Sequence, residues 1–185
     1  MPRHRNRRHR PTSVLLAAVA LGALTATGCA PGPSPTPTPT PLFSSEAEAF
    51  AAAEETYRAY VDALNEVDLA DARTFDGVSA WLVGETATSE RKTLVEMQSR
   101  GLTKRGTTTF TSWEVTSVDA DSGEIQSHLC LDVSQVDLLD AQGTSVVPPT
   151  RPNLQPVDVS FRPAPTRTGL AIASSKASKE VRCDG

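Results

Sequence analysis

The sequence predicts an α+β domain in which N-terminal helices cover one face of an antiparallel sheet. Residues 45–100 carry apolar side chains at helical spacing between capping signals. Beyond Lys104 the chain turns to Thr, Val and aromatic residues that alternate with polar ones, as half-buried strands do. A sheet of this kind leaves an apolar face in water unless helices cover it, which makes the two halves one domain.

The first helix is expected over 45–66. Ser45-x-x-Glu48 is a capping box, and Phe50, Ala53, Tyr57, Val61 and Leu64 recur behind it. Glu54, Glu55, Arg58 and Asp62 fall mainly on the other faces. Val67–Val83 is less regular and fits a short helix or turn around Asp76-Gly77, with Phe75, Trp81 and Leu82 inward. Thr88 or Ser89 caps a further helix that runs to Arg100 and stops at Gly101, with Leu94 and Met97 as core positions and Val95 beside them.

Thr107–Val118 reads as a strand and Asp119–Gly123 as a turn. In the strand Glu124–Ser134, Ile125, Leu129, Leu131 and Val133 share one face, while Gln126, His128, Cys130 and Asp132 share the other. Gln135–Leu139 extends this strand or begins another segment, and Asp140–Gly143 turns the chain into Thr144–Val147. Four prolines make 148–156 a loop. Val157, Val159 and Phe161 alternate with Asp158, Ser160 and Arg162 in a strand, Gly169–Ser174 forms the next, and a last segment reaches Cys183.

Ahead of this domain (42–185) lie two segments of other character. Residues 1–28 open with five arginines and no acid, then run through the apolar Val14–Ala26. Thirteen residues are too few for a stable membrane span of roughly 20, so the pattern is that of a signal peptide. Arg7-Arg8 hints at twin-arginine export, but His9-Arg10-Pro11 departs from that signal, and the Sec and twin-arginine routes both stay open. Ala26-Thr27-Gly28-Cys29 resembles a bacterial lipobox, with Ala26 where Leu is commoner. The resemblance implies diacylglycerol and further acyl chains such as palmitate on Cys29 and attachment to the extracytoplasmic face of the cell membrane; ordinary cleavage to a soluble secreted protein is the alternative. Residues 29–41 then form a tether, whose alternating prolines favour an extended chain spanning on the order of 35 Å.

After Cys29 stand 13 Lys and Arg against 22 Asp and Glu, a formal charge of −9. So acidic a domain repels polyphosphate, and nucleic acid is not an expected partner. Cys130 and Cys183, far apart in an exported chain, are expected to form one disulfide. They lack the paired spacing of a metal site, and no residue pattern calls for a cofactor.

The order of elements over 45–183 resembles the NTF2-like superfamily, and in particular exported actinobacterial lipoproteins that join a lipobox and a Pro/Thr spacer to one such domain. The resemblance implies a cone-shaped α+β domain with an apolar interior pocket. It does not imply one activity, because the fold hosts isomerases, dehydratases, polyketide cyclases and non-catalytic binding domains.

The catalytic candidates are Asp62, Asp132 and His128, with Asp137 as a further acid. His128 is the sole histidine after residue 10, and a strand puts Asp132 about 13 Å from it, too far for a hydrogen bond. Tyr57 and Tyr60 lie near Asp62 on the first helix, the pairing that proton-abstracting enzymes of this fold use. Tyr57, Trp81, Phe110, Trp113 and Phe161 are candidates to line a pocket. The expected function is therefore a membrane-anchored lipoprotein whose non-catalytic domain binds a small apolar molecule or an envelope protein. An isomerase or dehydratase with an Asp base and a structural accessory role are the alternatives.

Overall fold

The computed structural model describes residues 42–183. Cys29, the signal segment and the tether lie outside the described residues. The described chain has helices packed against a curved antiparallel sheet. Helix α1 (Glu46–Asn65) is followed by a single 3-10 turn (Ala72–Thr74), a short α2 (Phe75–Ser79) and α3 (Gly84–Ser99). Strands β1 (Thr103–Arg105), β2 (Thr109–Val118), β3 (Ile125–Asp132), β4 (Asp137–Leu139), β5 (Leu154–Pro163) and β6 (Leu170–Ala177) come after them. The main sheet has the order β2-β3-β5-β6, all antiparallel, and β1 pairs with β4 in a separate two-stranded ribbon.

Helix α1 begins where its capping signal places it. Ser45 Oγ accepts from the Glu48 backbone N–H at 3.2 Å. The reciprocal bond goes one residue further back than in a standard capping box: the Glu48 carboxylate accepts from both the N–H and the hydroxyl of Ser44, at 2.8 and 2.6 Å. Those bonds to Ser44 hold the Glu48 carboxyl below the ordinary glutamate range. At the other end Lys104 Nζ donates to the carbonyls of Leu64 and Asn65 in the last turn, where it meets the negative end of the helix. Asn65 closes the same corner by exchanging two bonds with the backbone of Thr108.

The buried stripe of α1 is Ala49, Ala53, Thr56, Tyr57, Tyr60 and Val61. This corrects the sequence reading at one point: Phe50 is 37% exposed, because small alanines, rather than the nearest aromatic, face the sheet at the first turns. The stripe packs on the inner sheet face, where Ile125, Leu129, Val159, Phe161 and Ile172 are buried. Thr56 also belongs to it. Its hydroxyl contacts the Ala52 carbonyl at 2.7 Å and the Thr168 hydroxyl at 2.6 Å, so this buried polar group is satisfied. Arg167, beside Thr168 in the β5–β6 turn, pairs with Glu55 at 2.7 Å and lies over the Trp81 ring.

Helix α3 starts earlier than Thr88 or Ser89. Its N-cap is Val83, which offers no side-chain bond, and the start is set instead by tertiary contacts. Val83 N–H donates to the Ile172 carbonyl, Ile172 N–H donates to the Trp81 carbonyl, and Thr86 Oγ1 donates to the Ala173 carbonyl. The segment 81–83 thus forms a parallel bridge along the outer edge of β6. The helix ends as expected before Gly101, at φ 65°. Leu94 is buried, Met97 partly so, and Val95 faces water.

The strands follow the predicted alternation, with adjusted ends. Asp119–Gly123 turns β2 into β3, with Asp119 Oδ1 accepting from the N–H groups of Asp121 and Ser122. Residues 137–139 are a strand of their own, and 144–147 contribute one bridge, Leu139 to Ser145. β5 begins at Leu154, inside the predicted loop: Arg151 anchors that loop by donating to the carbonyls of Val133 and Val136. Strand β6 runs on to Ala177.

Cys130 and Cys183 form the expected disulfide, with Cα atoms 5.7 Å apart. Cys130 is on the outer face of β3, so the tail after β6 must cross over β5 to reach it. Ser178 starts this strap by donating its N–H to the Pro156 carbonyl at 2.8 Å.

Two stability changes follow. The bridge closes a sequence separation of 53 residues, and chain entropy gives it about 4 kcal/mol. Cys183→Ser is expected to lower the unfolding free energy by about that amount, read from urea denaturation; a loss within about 0.5 kcal/mol would mean that the strap is strained or the reduced chain structured. Gly106 holds φ 74°, and a β-carbon there would fall on the Gln135 carbonyl. Gly106→Ala is therefore expected to cost well over about 1 kcal/mol in the same assay.

Candidate functional site

Two polar groupings stand out, one on each face of the sheet. The inner one centres on Tyr57 and Tyr60. The Tyr57 ring packs edge-on against Phe110 at 5.0 Å and lies 5.7 Å from Tyr60 and 6.0 Å from Trp113, which in turn is 6.0 Å from Phe161. Burial pushes both phenols well above the ordinary tyrosine range. Ser175, near the Tyr57 hydroxyl, works against that shift, and the Glu90 carboxylate on α3 adds to it in both. Burial likewise raises Glu90 above the ordinary glutamate range. On the same face Ser127 is 1% exposed, and its hydroxyl has no hydrogen-bond partner.

The register explains why these groups meet. Ser127 pairs with Val115 and Val159, and Val159 pairs with Ser175, so one inner row reads Val115, Ser127, Val159, Ser175 across four strands. Helix α1 lays Tyr57 over that row, and α3 brings Glu90 from the side. The result is a weakly solvated carboxyl near two phenols, in which burial raises the proton affinity of Glu90 above that of an ordinary glutamate.

The outer grouping lies under the strap. His128 and Asp158 are directly paired across β3 and β5, and His128 Nδ1 meets Asp158 Oδ1 at 2.6 Å. Asp158 itself lines a cleft of about 470 Å³, with Gln126, Ser160, Ser174, Lys176, Lys179 and Glu180 among its other lining residues. Strands β3, β5 and β6 supply its floor, and the disulfide-held strap supplies Lys179 and Glu180 as its wall.

The sequence candidates disperse. Asp62 is exposed on α1, so the expected Asp base in the cone is corrected at that position: its side chain is open to water. Asp132 is on the opposite side of the sheet from α1, and its carboxylate accepts from the Ser134 N–H at 2.8 Å, which keeps it below the ordinary range. Asp137 bonds the Ser145 hydroxyl and the Leu138 N–H. His128 does have an acidic partner, Asp158 rather than Asp132. Of the expected pocket residues, Tyr57 and Phe161 are wholly buried core, and Trp81, Phe110 and Trp113 pack partly buried against it. None of the five lines the cleft under the strap. Among the described residues no three His, Cys, Asp or Glu side chains gather as a metal site, and no helix is long and apolar enough to cross a membrane.

Sequence reasoning missed Glu90 and Asp158. Glu90 sits among polar helix residues with no distinguishing neighbour. Asp158 was placed correctly on the outer face of its strand, but its partner depends on register, which alternation does not specify.

The sign of the Glu90 effect is testable. A folded-state pKa above the unfolded one means that ionised Glu90 is disfavoured in the native protein. Stability is then lost as pH rises through the ordinary glutamate value toward the raised one. Glu90→Gln is expected to raise Tm at neutral pH and to flatten this part of the Tm–pH profile; an unchanged profile would place Glu90 in water.

No family model and no curated protein matches this chain. Solved structures that align with this chain include a candidate aromatic ring hydroxylase from Novosphingobium aromaticivorans, at 13% identity and TM-score 0.47 over 70% of this chain and 87% of that one. The intermembrane-space region of the chloroplast protein ARC6 aligns at 16% identity and TM-score 0.46, over 69% and 94% of the two chains. A candidate polyketide cyclase from Xanthomonas campestris aligns at 14% identity and TM-score 0.33, over 68% and 92%. At such identities no activity carries over, and function has to be argued from the residues of this chain.

Proposed function

We propose that this chain is a lipid-anchored protein of the extracytoplasmic membrane face whose domain binds a small polar molecule without turning it over. The observation that carries the binding part is the cleft under the strap: it is open, polar, and lined by side chains whose hydrogen-bonding capacity the fold leaves largely unused. The expected apolar pocket has less support, since its candidate residues Tyr57 and Phe161 are buried within the core. The basic start, the short apolar run and Ala26-Thr27-Gly28-Cys29 support the anchor, and the disulfide fits an oxidising compartment.

The reading without turnover rests on what surrounds His128. Its Nδ1 is taken by Asp158, and the sulfur nearest in sequence, Cys130, is held in the disulfide. A His–Asp pair needs a nucleophile or a positioned substrate proton to act as a base. One observation favours a second, enzymatic reading: among the described residues Glu90, near Tyr57 and Tyr60, is the one carboxyl whose proton affinity burial raises above the ordinary range. In that reading Glu90, in place of the expected Asp, is the base of an isomerase or dehydratase.

Two measurements test these readings. Cys29→Ala is expected to move the protein from the membrane fraction to the soluble fraction; retention on the membrane would overturn the anchor. Native mass spectrometry of the chain isolated from the cell is expected to show a bound small molecule that survives Glu90→Gln but is lost in Cys183→Ser, where the strap is free. A ligand lost only in Glu90→Gln would transfer the function to the inner grouping.

A further inference from the structure

We propose that the cleft under the strap selects a small hydroxylated anion, of the class of a sugar carrying a phosphate. This rests on the binding reading above and adds the chemistry of the ligand. The cations come first. Lys176 stands directly opposite Asp158 in the β5–β6 register, where a cross-strand ion pair would be expected. Asp158 is instead engaged by His128 Nδ1 at 2.6 Å. The ion pairs formed among the described residues include neither Lys176 nor Lys179. Two lysines outside any ion pair therefore line one cleft, together with the carboxylates of Glu180 and of Asp158, the latter engaged by His128.

The floor supplies the rest. Ser160 and Ser174 are direct cross-strand partners, both half-buried, and their hydroxyls make no bond within the described protein. Gln126 spends its amide N–H on Glu124 and keeps its carbonyl oxygen for an incoming donor. Paired hydroxyls and an amide oxygen match ligand hydroxyl groups, while the lysines match a negative group. An apolar ligand would have to strip water from these side chains without replacing its bonds. The volume of about 470 Å³ falls in the range of small-molecule sites.

The charge of −9 outside the signal segment opposes an approaching anion from afar. At physiological ionic strength that field fades within about 8 Å, so the groups in the cleft decide the bound state. Glu180, also in the lining, acts against the lysines, and its removal strengthens binding of an anion.

The test uses the full-length chain as isolated from the cell, titrated with glucose 6-phosphate, glucose and inorganic phosphate and followed by NMR of the backbone amides. Glucose 6-phosphate is expected to shift the amides of Gln126, Ser160 and Ser174 and to bind more tightly than either fragment. Lys176→Ala and Lys179→Ala are each expected to weaken it about tenfold, and Glu180→Gln to tighten it a few-fold. Three outcomes overturn the proposal: no shifts in the cleft at millimolar ligand, equal binding of neutral glucose, or affinity unmoved by both lysine variants. Equal binding of glucose would sink the anion claim and leave the binding reading standing. A ligand recovered from the cell that maps to the inner face would sink both. Each variant is checked by its amide spectrum, so misfolding is not mistaken for lost contact.

Discussion

Tyr57 is the point at which helix and sheet become one core. Its ring is wholly buried between α1 and the inner sheet face, edge-on to Phe110 and beside Trp113, which in turn meets Phe161. An aromatic of this size contributes several kcal/mol on burial, and tilted aromatic pairs add to it. The position also constrains everything around it. A phenol at that depth needs its hydroxyl at a polar rim, which is where Ser175 and Glu90 stand. The β5–β6 turn must reach over α1 to satisfy Thr56 one residue earlier, and Arg167 follows to meet Glu55 and Trp81.

The two faces of the sheet consequently differ in character. The inner face is committed to packing, and its polar groups are few and poorly solvated. Among the described residues no helix covers the outer face. It would be an unremarkable wet surface but for Cys183, which draws the tail across β5 and turns a flat face into a walled cleft. One covalent bond thus does for the outer face what α1 and α3 do for the inner one. Tethering the tail in the unfolded state as well removes much of the entropy that ordering an exposed strap would otherwise cost.

Much of the architecture was legible in the sequence, and the limits of that reading have physical causes. Helix α1 was readable because local signals agreed: a capping box, a periodic stripe and no breakers. The alternation of β3 and β5 was readable because burial on one face enforces period two. The start of α3 was not, since bonds from 81–83 and Thr86 to β6 set it against a weaker local preference for Thr88 or Ser89. Phe50 was misplaced because an alanine-rich turn lets backbones approach closely without the aromatic. The site was less legible than the fold. His128 and Asp158 are 30 residues apart in sequence and become neighbours only through register. Glu90 becomes unusual only when α3 docks beside Tyr57 and Tyr60.

The main sheet has two outer strands, and they are finished differently. The β6 edge is partly covered by the parallel bridge at Leu82. Among the described residues nothing pairs with the free edge of β2, but the strand is irregular: its pairing shifts register between Thr111 and Glu114 and again between Val115 and Ser117, and Ser112 sits at φ 57°. Bulges of this sort break the row of evenly spaced N–H and C=O groups that an incoming strand would need. For the anchored protein proposed above, this bears on crowding. Copies confined to two dimensions meet one another far more often than copies in solution, and an unbroken ten-residue β2 would template edge-to-edge polymerisation along the membrane. The two kinks in β2 keep neighbouring copies from adding to one another's sheets.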